Sequence, residues 1–195
     1  MKEYQIDGYL FRPLVKETWQ AFAQLFGANG ACDGCWCLFW KQNSAEYKAG
    51  RGENNRKAMM QLVIQGEDLG LLAFSPQGEV CGWIAVAPRE KYSRLQNSRT
   101  LKPIDEQPVW SITCFFIHRN FRGMGIGTKL VKAALEFVKS KGGSLVEAYP
   151  NLLEESRVPS SSIYTGVPQI FERLGFEKVA NGGKRVIMRK KMTIE

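Results

Sequence analysis

The sequence of 195 residues lacks the features that mark several large classes of protein. No apolar run in it approaches the roughly 18 residues that a membrane-spanning helix needs. The first residues carry Glu3 and Asp7 and have neither the apolar core nor the cleavage site of a secretion signal. The cysteines number five, which is odd, so a full set of disulfides is not expected. We therefore expect a cytoplasmic protein with reduced thiols and no membrane partner.

Histidine, the commonest catalytic base and metal ligand, occurs once, as His118. Cys32, Cys35 and Cys37 have C-x-x-C-x-C spacing, but a tetrahedral zinc site needs a fourth ligand and no second C-x-x-C pair is present. A covalent cysteine intermediate would need a base beside the thiol, and the one histidine lies far along the chain. We expect no metal, no covalent cysteine intermediate, and a compact apolar cluster of these cysteines with their aromatic neighbours.

Positive charge is in excess, since 27 lysines and arginines face 19 acids and the formal net charge is +8. The excess is local: residues 89–103 hold five basic residues and one acid, and residues 118–142 hold six and one. Such segments favour one or two anion-binding patches, although a solvated surface has the same composition. Tyr92 is the one tyrosine of the first segment and offers little surface for stacking bases, so a nucleic-acid partner is not favoured.

The length and the lack of a long linker predict a single domain, and hydrophobic periodicity places helices and strands along it. Apolar residues at helical spacing predict helices over residues 15–27, 53–65, 126–141 and 169–174. Apolar and β-branched runs predict strands over residues 71–74, 80–87, 109–117 and 144–149, and a closing hairpin at 181–183. Hairpins on either side of one strand–helix–strand unit predict an α+β fold with a mixed sheet, in one domain over residues 1–195.

The strongest motif is the glycine loop Arg122–Thr128, which lies between an apolar strand and an amphipathic helix. Glycines on alternate residues let successive N–H groups point into one concavity, and a helix N-terminus adds unpaired donors, so the loop predicts a phosphate-binding site. A Walker loop would need Gly-Lys-Ser/Thr, whereas the order here is Gly-Thr-Lys. A dinucleotide fingerprint would need a glycine where Leu130 stands.

The pattern Arg-x-x-Gly-x-Gly after a buried strand resembles the acetyl-CoA loop of the GCN5-related N-acetyltransferase (GNAT) family. The segment Phe171–Phe176 is similar to that family's helix-to-strand segment ending in Gly-Phe. The resemblance implies a central mixed, mostly antiparallel sheet flanked by helices, with splayed central strands. It places residues 1–66 as a helical and cysteine/aromatic region on the acceptor side, and residues 67–195 as the sheet and acetyl-CoA-binding core.

The same resemblance implies a function and a set of binding residues. The protein would transfer acetyl directly from acetyl-CoA, its co-substrate, to a primary amine. Backbone groups of Phe115, Phe116 and Ile117 would bond the pantetheine arm. The glycine loop would hold the pyrophosphate through Arg122, Gly123, Met124, Gly125, Ile126, Gly127 and Thr128.

Transfer also needs a base for the amine and, in many mechanisms, an acid for the leaving thiolate. Glu147 is the only acid of an apolar strand, which makes it the first candidate for the base, although a structural partner of an arginine or lysine would look the same. The family commonly has a tyrosine four residues before the glycine of Gly-Phe, and here that residue is Phe171. Tyr164 is therefore the first candidate for the acid, and Tyr149 the second.

Because no acid–base pair is unmistakable, a non-enzymatic acyl-CoA-binding regulatory module is the alternative. The cysteine stretch has a second interpretation too, as a wall of the acceptor pocket. The acceptor itself stays open among small amines, antibiotics, peptide N-termini and lysine side chains, and both a monomer and a homodimer fit the sequence.

Overall fold

The structure of the protein is a computed structural model that describes residues 2–152 and 164–193. Within these ranges the strands are β1 (Tyr4–Ile6), β2 (Tyr9–Pro13), β3 (Gly70–Phe74), β4 (Val80–Pro88), β5 (Trp110–Ile117), β6 (Leu145–Ala148), β7 (Glu177–Gly182) and β8 (Arg185–Lys191). The α-helices of the same ranges are α1 (Trp19–Phe26), α2 (Ser44–Gly50), α3 (Glu53–Ile64), α4 (Ser93–Gln96), α5 (Ile126–Ser140) and α6 (Pro168–Glu172). None of these described helices has the length and apolar character that crossing a membrane requires.

The strands form one eight-stranded sheet in the order β1-β2-β3-β4-β5-β6-β8-β7 across the described ranges. Neighbouring strands run antiparallel, except that β5 and β6 are parallel and are connected through α5. Such a parallel pair needs a crossover connection, which the long amphipathic helix supplies. The predicted α+β class with a mixed, mostly antiparallel sheet is confirmed.

The chain begins with a hairpin that the sequence analysis did not predict. Strands β1 and β2 are joined by Asp7 and Gly8, whose φ angles of 48° and 80° are those of a tight hairpin turn with two left-handed residues. Strand β2 continues the sheet by pairing with β3. The first 66 residues therefore supply two strands of the sheet as well as the helices expected there.

Helices cover both faces of the sheet. On one face α5 buries an apolar stripe that includes Leu130 and Phe137. On the other face α1 and α3 bury Phe22 and Met59 in a cluster that contains the fully buried Trp83 of β4. Helix α1 begins at Trp19, later than predicted, because a 3-10 turn precedes it.

The parallel pair β5–β6 separates partway along its length. Only residues 110–112 of β5 pair with β6, whereas the pairing of β5 with β4 continues to Ile117. The end of β5 therefore borders a gap on its β6 side, as the expected splay of the central strands requires. This gap opens toward the N-terminus of α5 and organises the candidate site.

Candidate active site

The glycine loop has a backbone that only glycine adopts without strain. Gly123 and Gly125 have φ angles of 80° and 71°, and a Cβ added at either would meet no atom within 4 Å. Gly125 is also the N-cap of α5. Gly127 has a different role, because it is buried in the first helical turn and a Cβ there would lie 3.4 Å from Ile170 of α6. Gly123 and Gly125 therefore shape the loop, whereas a Cβ at Gly127 would make ordinary van der Waals contacts.

The N-terminus of α5 presents backbone donors to this loop. The first intrahelical bond runs from the Lys129 N–H to the Gly125 carbonyl at 3.3 Å, so the earlier N–H groups, of Ile126, Gly127 and Thr128, have no partner one turn before them. The positive end of the helix dipole lies at the same place. Met124, with 54% of its surface exposed, lies at the tip of the loop. The arrangement suits a phosphate group.

Charged side chains around the loop are partly engaged by the protein. The Lys129 ammonium forms an ion pair with Asp7 at 2.7 Å. The exposed Arg122 donates from Nε to the Ile117 carbonyl at 3.2 Å, which ties the loop to the end of β5. Arg122 therefore adds positive charge beside the loop, whereas the charge of Lys129 is largely neutralised.

Backbone groups of β5 alternate between β4 and the gap. The His118 N–H donates to the Cys81 carbonyl of β4 at 3.0 Å, and by the same alternation Phe116 faces β4. Phe115 and Ile117 face the gap. Of the three residues expected to bond the pantetheine arm, the structure thus places backbone groups of two at the splayed edge. The third, Phe116, lines a cavity beside β5.

The gap-facing donor of Phe115 is already engaged. Its N–H donates to the carbonyl of Tyr164 at 2.6 Å. The Tyr164 side chain lies nearby, where it lines a cavity beside β5. Its hydroxyl oxygen accepts a hydrogen bond from Arg185 Nη2 at 3.1 Å. Burial raises the pKa of Tyr164, so its hydroxyl stays protonated near neutral pH. The structure therefore places a protonated hydroxyl group beside β5.

A cavity of about 570 Å³, which we call the cysteine cavity, opens beside this edge of β5. Aromatic rings make up much of its wall. Four of the five cysteines also line it: Cys32, Cys35, Cys37 and Cys114. The expected cysteine–aromatic cluster thus forms one side of a cavity. Among the described residues, no group of three or more His, Cys, Asp or Glu side chains is arranged to hold a metal ion.

Cys37 is the cysteine best placed to carry negative charge. Its sulfur accepts a hydrogen bond from the indole Nε1 of the buried Trp83 at 3.1 Å. The neighbouring Cys114 side chain and this indole bond lower the pKa of Cys37 against the opposing effect of burial. Burial instead raises the pKa of Cys35 to about 12. The backbone of Cys37 is left-handed, with φ of 60°, a strained conformation for a non-glycine residue.

Glu147 lies in a buried ion-pair network and does not line the cysteine cavity. Its side chain is 1% exposed. One carboxylate oxygen accepts from Arg189 Nη2 at 2.7 Å and Nε at 3.0 Å. The other accepts from the Tyr149 hydroxyl at 2.8 Å and from Arg89 Nη1 at 3.3 Å. Both carboxylate oxygens of Glu147 thus have two donors each, which fits its interpretation as a structural partner of arginine. The Tyr149 hydroxyl donates its proton to Glu147, so Tyr149 is not a candidate for the acid.

Phe171 is fully buried beneath β5, where its ring packs edge-on against those of Phe115 and Phe176. It acts as a core residue.

Cys37 and Cys114 both line the cysteine cavity, but no motif in the sequence pairs them, because they lie on separate elements. The run Cys35–Cys37 marks this region in the sequence. The local sequence does not show which of the two sulfurs accepts the hydrogen bond from Trp83.

Comparisons with known proteins agree with this architecture. An uncharacterized N-acetyltransferase of Methanocaldococcus jannaschii is 32% identical over 88 residues, which are 44% of this chain and 34% of that protein. The match therefore spans about a third of the relative's length. A GNAT-family acetyltransferase of Listeria monocytogenes has a similar fold, with a TM-score of 0.59, 13% identity, and coverage of 98% of this chain and 100% of that one.

A further structure with this fold is YncA of Salmonella typhimurium, which contains its cofactor acetyl-CoA. It matches with a TM-score of 0.53 and 13% identity, over 97% of this chain and 96% of that one. Residues 34–153, more than half of the chain, match the sequence profile of the Acetyltransferase (GNAT) family. The protein is therefore a member of the GNAT family.

Proposed function

We propose that the protein is an acetyl-CoA-dependent N-acetyltransferase that transfers acetyl directly to a primary amine. The observation that carries the proposal is the position of three features around one gap. The glycine loop lies at one end, the side of β5 that pairs with no strand beyond residue 112 runs along it, and the cysteine cavity opens beside it. Family membership and the acetyl-CoA held by YncA support the same conclusion.

Binding of acetyl-CoA uses mainly the backbone. The open concavity at Gly123 and Gly125 and the first-turn N–H groups of α5 would receive the pyrophosphate. The gap-facing groups of Phe115 and Ile117 would bond the pantetheine arm. Because the Phe115 N–H now donates to Tyr164, we propose that the acetyl carbonyl replaces the Tyr164 carbonyl as its acceptor. The same donor would then stabilise the oxyanion that develops during transfer.

In the chemical step we assign the base to Cys37 and the acid to Tyr164. Cys37, as thiolate, accepts one proton from the acceptor ammonium, and the freed nitrogen attacks the thioester carbon. When the C–S bond breaks, Tyr164 donates its proton to the departing sulfur. The second proton leaves the nitrogen as the amide forms and returns Tyr164 to its neutral state, while Cys37 releases its proton to solvent.

The functional test is release of free thiol from acetyl-CoA across a panel of amines and short peptides. Turnover that depends on the amine supports the proposal. Binding of acetyl-CoA with no turnover on any acceptor would instead favour the non-enzymatic acyl-CoA-binding module.

Replacing Gly125 by Glu should abolish acetyl-CoA binding, because the side chain would place negative charge where phosphate is expected and strain the left-handed backbone. In the wild type, acetyl-CoA at about 100 times its Kd should stabilise the fold by about 2.7 kcal/mol. Gly142→Glu is the matched control, since Gly142 has a φ of 78° and open space at the other end of α5. Thermal shifts with acetyl-CoA measure both, and an undiminished shift in folded Gly125→Glu contradicts the binding site.

Direct transfer predicts that acetyl-CoA alone leaves no acetyl group on the enzyme. Cys37 is the sulfur most able to attack the thioester, so it is the residue to inspect. Intact-protein mass spectrometry after incubation with acetyl-CoA and no acceptor should show the unmodified mass. Stoichiometric acetylation that disappears in Cys37→Ser but persists in Cys32→Ser would establish a covalent intermediate instead.

A further inference from the structure

A second cavity of about 450 Å³ adjoins the cysteine cavity and shares Phe39 and Trp40 with it. We call it the arginine cavity, because Arg94 of α4 and Arg185 of β8 are its charged lining residues. Its other described lining residues are hydroxyl, amide or apolar side chains, and none of them is acidic. The described lining therefore concentrates positive charge and contains no carboxylate that would neutralise it.

Buried donors of this cavity lack acceptors. In the described part of the chain, no hydrogen-bond partner is found for Nε and Nη2 of Arg94, for Nε of Arg185, or for the indole Nε1 of Trp40, and all four atoms are buried. Neither arginine forms an ion pair within that part. Buried polar groups are normally paired, so donors gathered around one cavity point to a missing acceptor.

Aromatic rings hold the two guanidinium groups in place. The guanidinium carbon of Arg94 lies 4.1 Å from the centre of the Phe39 ring, and that of Arg185 lies 5.4 Å from the Trp40 ring. Stacking of this kind fixes the plane of a guanidinium while leaving N–H groups at its edge free for a ligand. The planar fork of arginine suits the paired oxygens of a carboxylate or phosphate.

We propose that the arginine cavity binds the anionic group of the acceptor, so that the acceptor is an amine carrying a carboxylate or a phosphate. This inference rests on the proposed function, because it assigns the amine of the same molecule to the cysteine cavity. Tyr164 connects the two sites, since its ring lines the cysteine cavity and its hydroxyl bonds to Arg185. The carboxylate or phosphate of the acceptor would thus accept hydrogen bonds from Arg185, which also positions the proposed acid, Tyr164.

The experiment compares each free amino acid with its carboxamide, and phosphoethanolamine with ethanolamine, as acceptors under saturating acetyl-CoA. The anionic member of at least one pair should have a kcat/KM higher by about 10–100-fold, the range expected for hydrogen bonds to a charged group. Arg94→Gln and Arg185→Gln should each reduce that ratio toward one. Arg99→Gln is the matched control, because it removes the same charge from an exposed residue of the same segment outside the cavity. The pair that responds distinguishes carboxylate from phosphate.

A binding measurement separates failure of this inference from failure of the proposed function. Calorimetric titration of the protein–CoA complex with the N-acetylated forms of the same pairs should show tighter binding of the anionic member. Preferential binding without turnover retains the anion subsite and refutes the transferase. Turnover with equal kcat/KM and equal affinity within every pair refutes the subsite and retains the transferase.

Discussion

Cys37→Ser should lower turnover by about 10²–10⁴-fold at neutral pH, the usual contribution of general acid–base catalysis. Serine has nearly the size of cysteine and can still accept the Trp83 indole hydrogen bond, so the fold should be preserved. Its hydroxyl, however, does not ionise in the working pH range, and the proposed base is lost. Initial rates with the best acceptor, measured together with acetyl-CoA affinity, check the prediction.

The matched control for Cys37→Ser is Cys32→Ser. Cys32 lines the same cavity but is exposed, and no donor is assigned to its sulfur in the described residues. Its replacement should leave turnover near that of the wild type. Equal activity of both variants, with both folded, would remove Cys37 from the chemistry and leave proton transfer to water.

A pH profile separates a chemical role of Cys37 from a structural one. Activity should rise with pH as the Cys37 thiol loses its proton, and the neighbouring Cys114 side chain lowers the pKa at which this happens. Cys114→Ala removes that side chain, so it should raise the pKa of the Cys37 thiol and move the acidic limb of the kcat/KM profile to higher pH. A profile that keeps its acidic limb in Cys114→Ala would argue that another group controls it.

Local signals in the sequence were sufficient to predict the geometry of the glycine loop. The glycine loop is continuous in the chain, and its strand, turn and helix follow one another without a break. Backbone chemistry at Gly123 and Gly125 depends on those residues alone, so the motif identifies it. The same holds for the Asp7-Gly8 turn, whose hairpin signal was present in the sequence but was not used.

Long-range pairing explains what the sequence could not reveal. Glu147 was recognised as unusual, but its partners Arg89 and Arg189 lie 58 and 42 residues away, and only the fold brings them to it. Cys37 reaches Trp83 across 46 residues in the same way. Arg94 and Arg185 line one cavity because α4 and the start of β8 meet. Composition showed the excess charge but not which arginines remain unpaired.

Glu147→Gln should destabilise the fold rather than slow the chemistry. The carboxylate is 1% exposed and balances Arg89, whose side chain is 8% exposed, and Arg189, which is 12% exposed. A neutral amide leaves the charge of Arg89 buried without a carboxylate partner, weakens the compensation of Arg189, and turns an N–H donor toward other donors. Removing one partner of a buried ion pair typically costs about 3–5 kcal/mol, so a loss of this size in the free energy of unfolding is expected.

Asp105→Asn is the matched control for this network. Asp105 also pairs with Arg189, but its side chain is 33% exposed, so its replacement should lower the free energy of unfolding much less than Glu147→Gln does. Urea denaturation gives both changes in the free energy of unfolding, and initial rates are normalised to the folded fraction. Folded Glu147→Gln should retain turnover near wild type, because Glu147 does not line the cysteine cavity. A stable Glu147→Gln variant with turnover reduced by about 10²-fold or more would return Glu147 to the role of catalytic base.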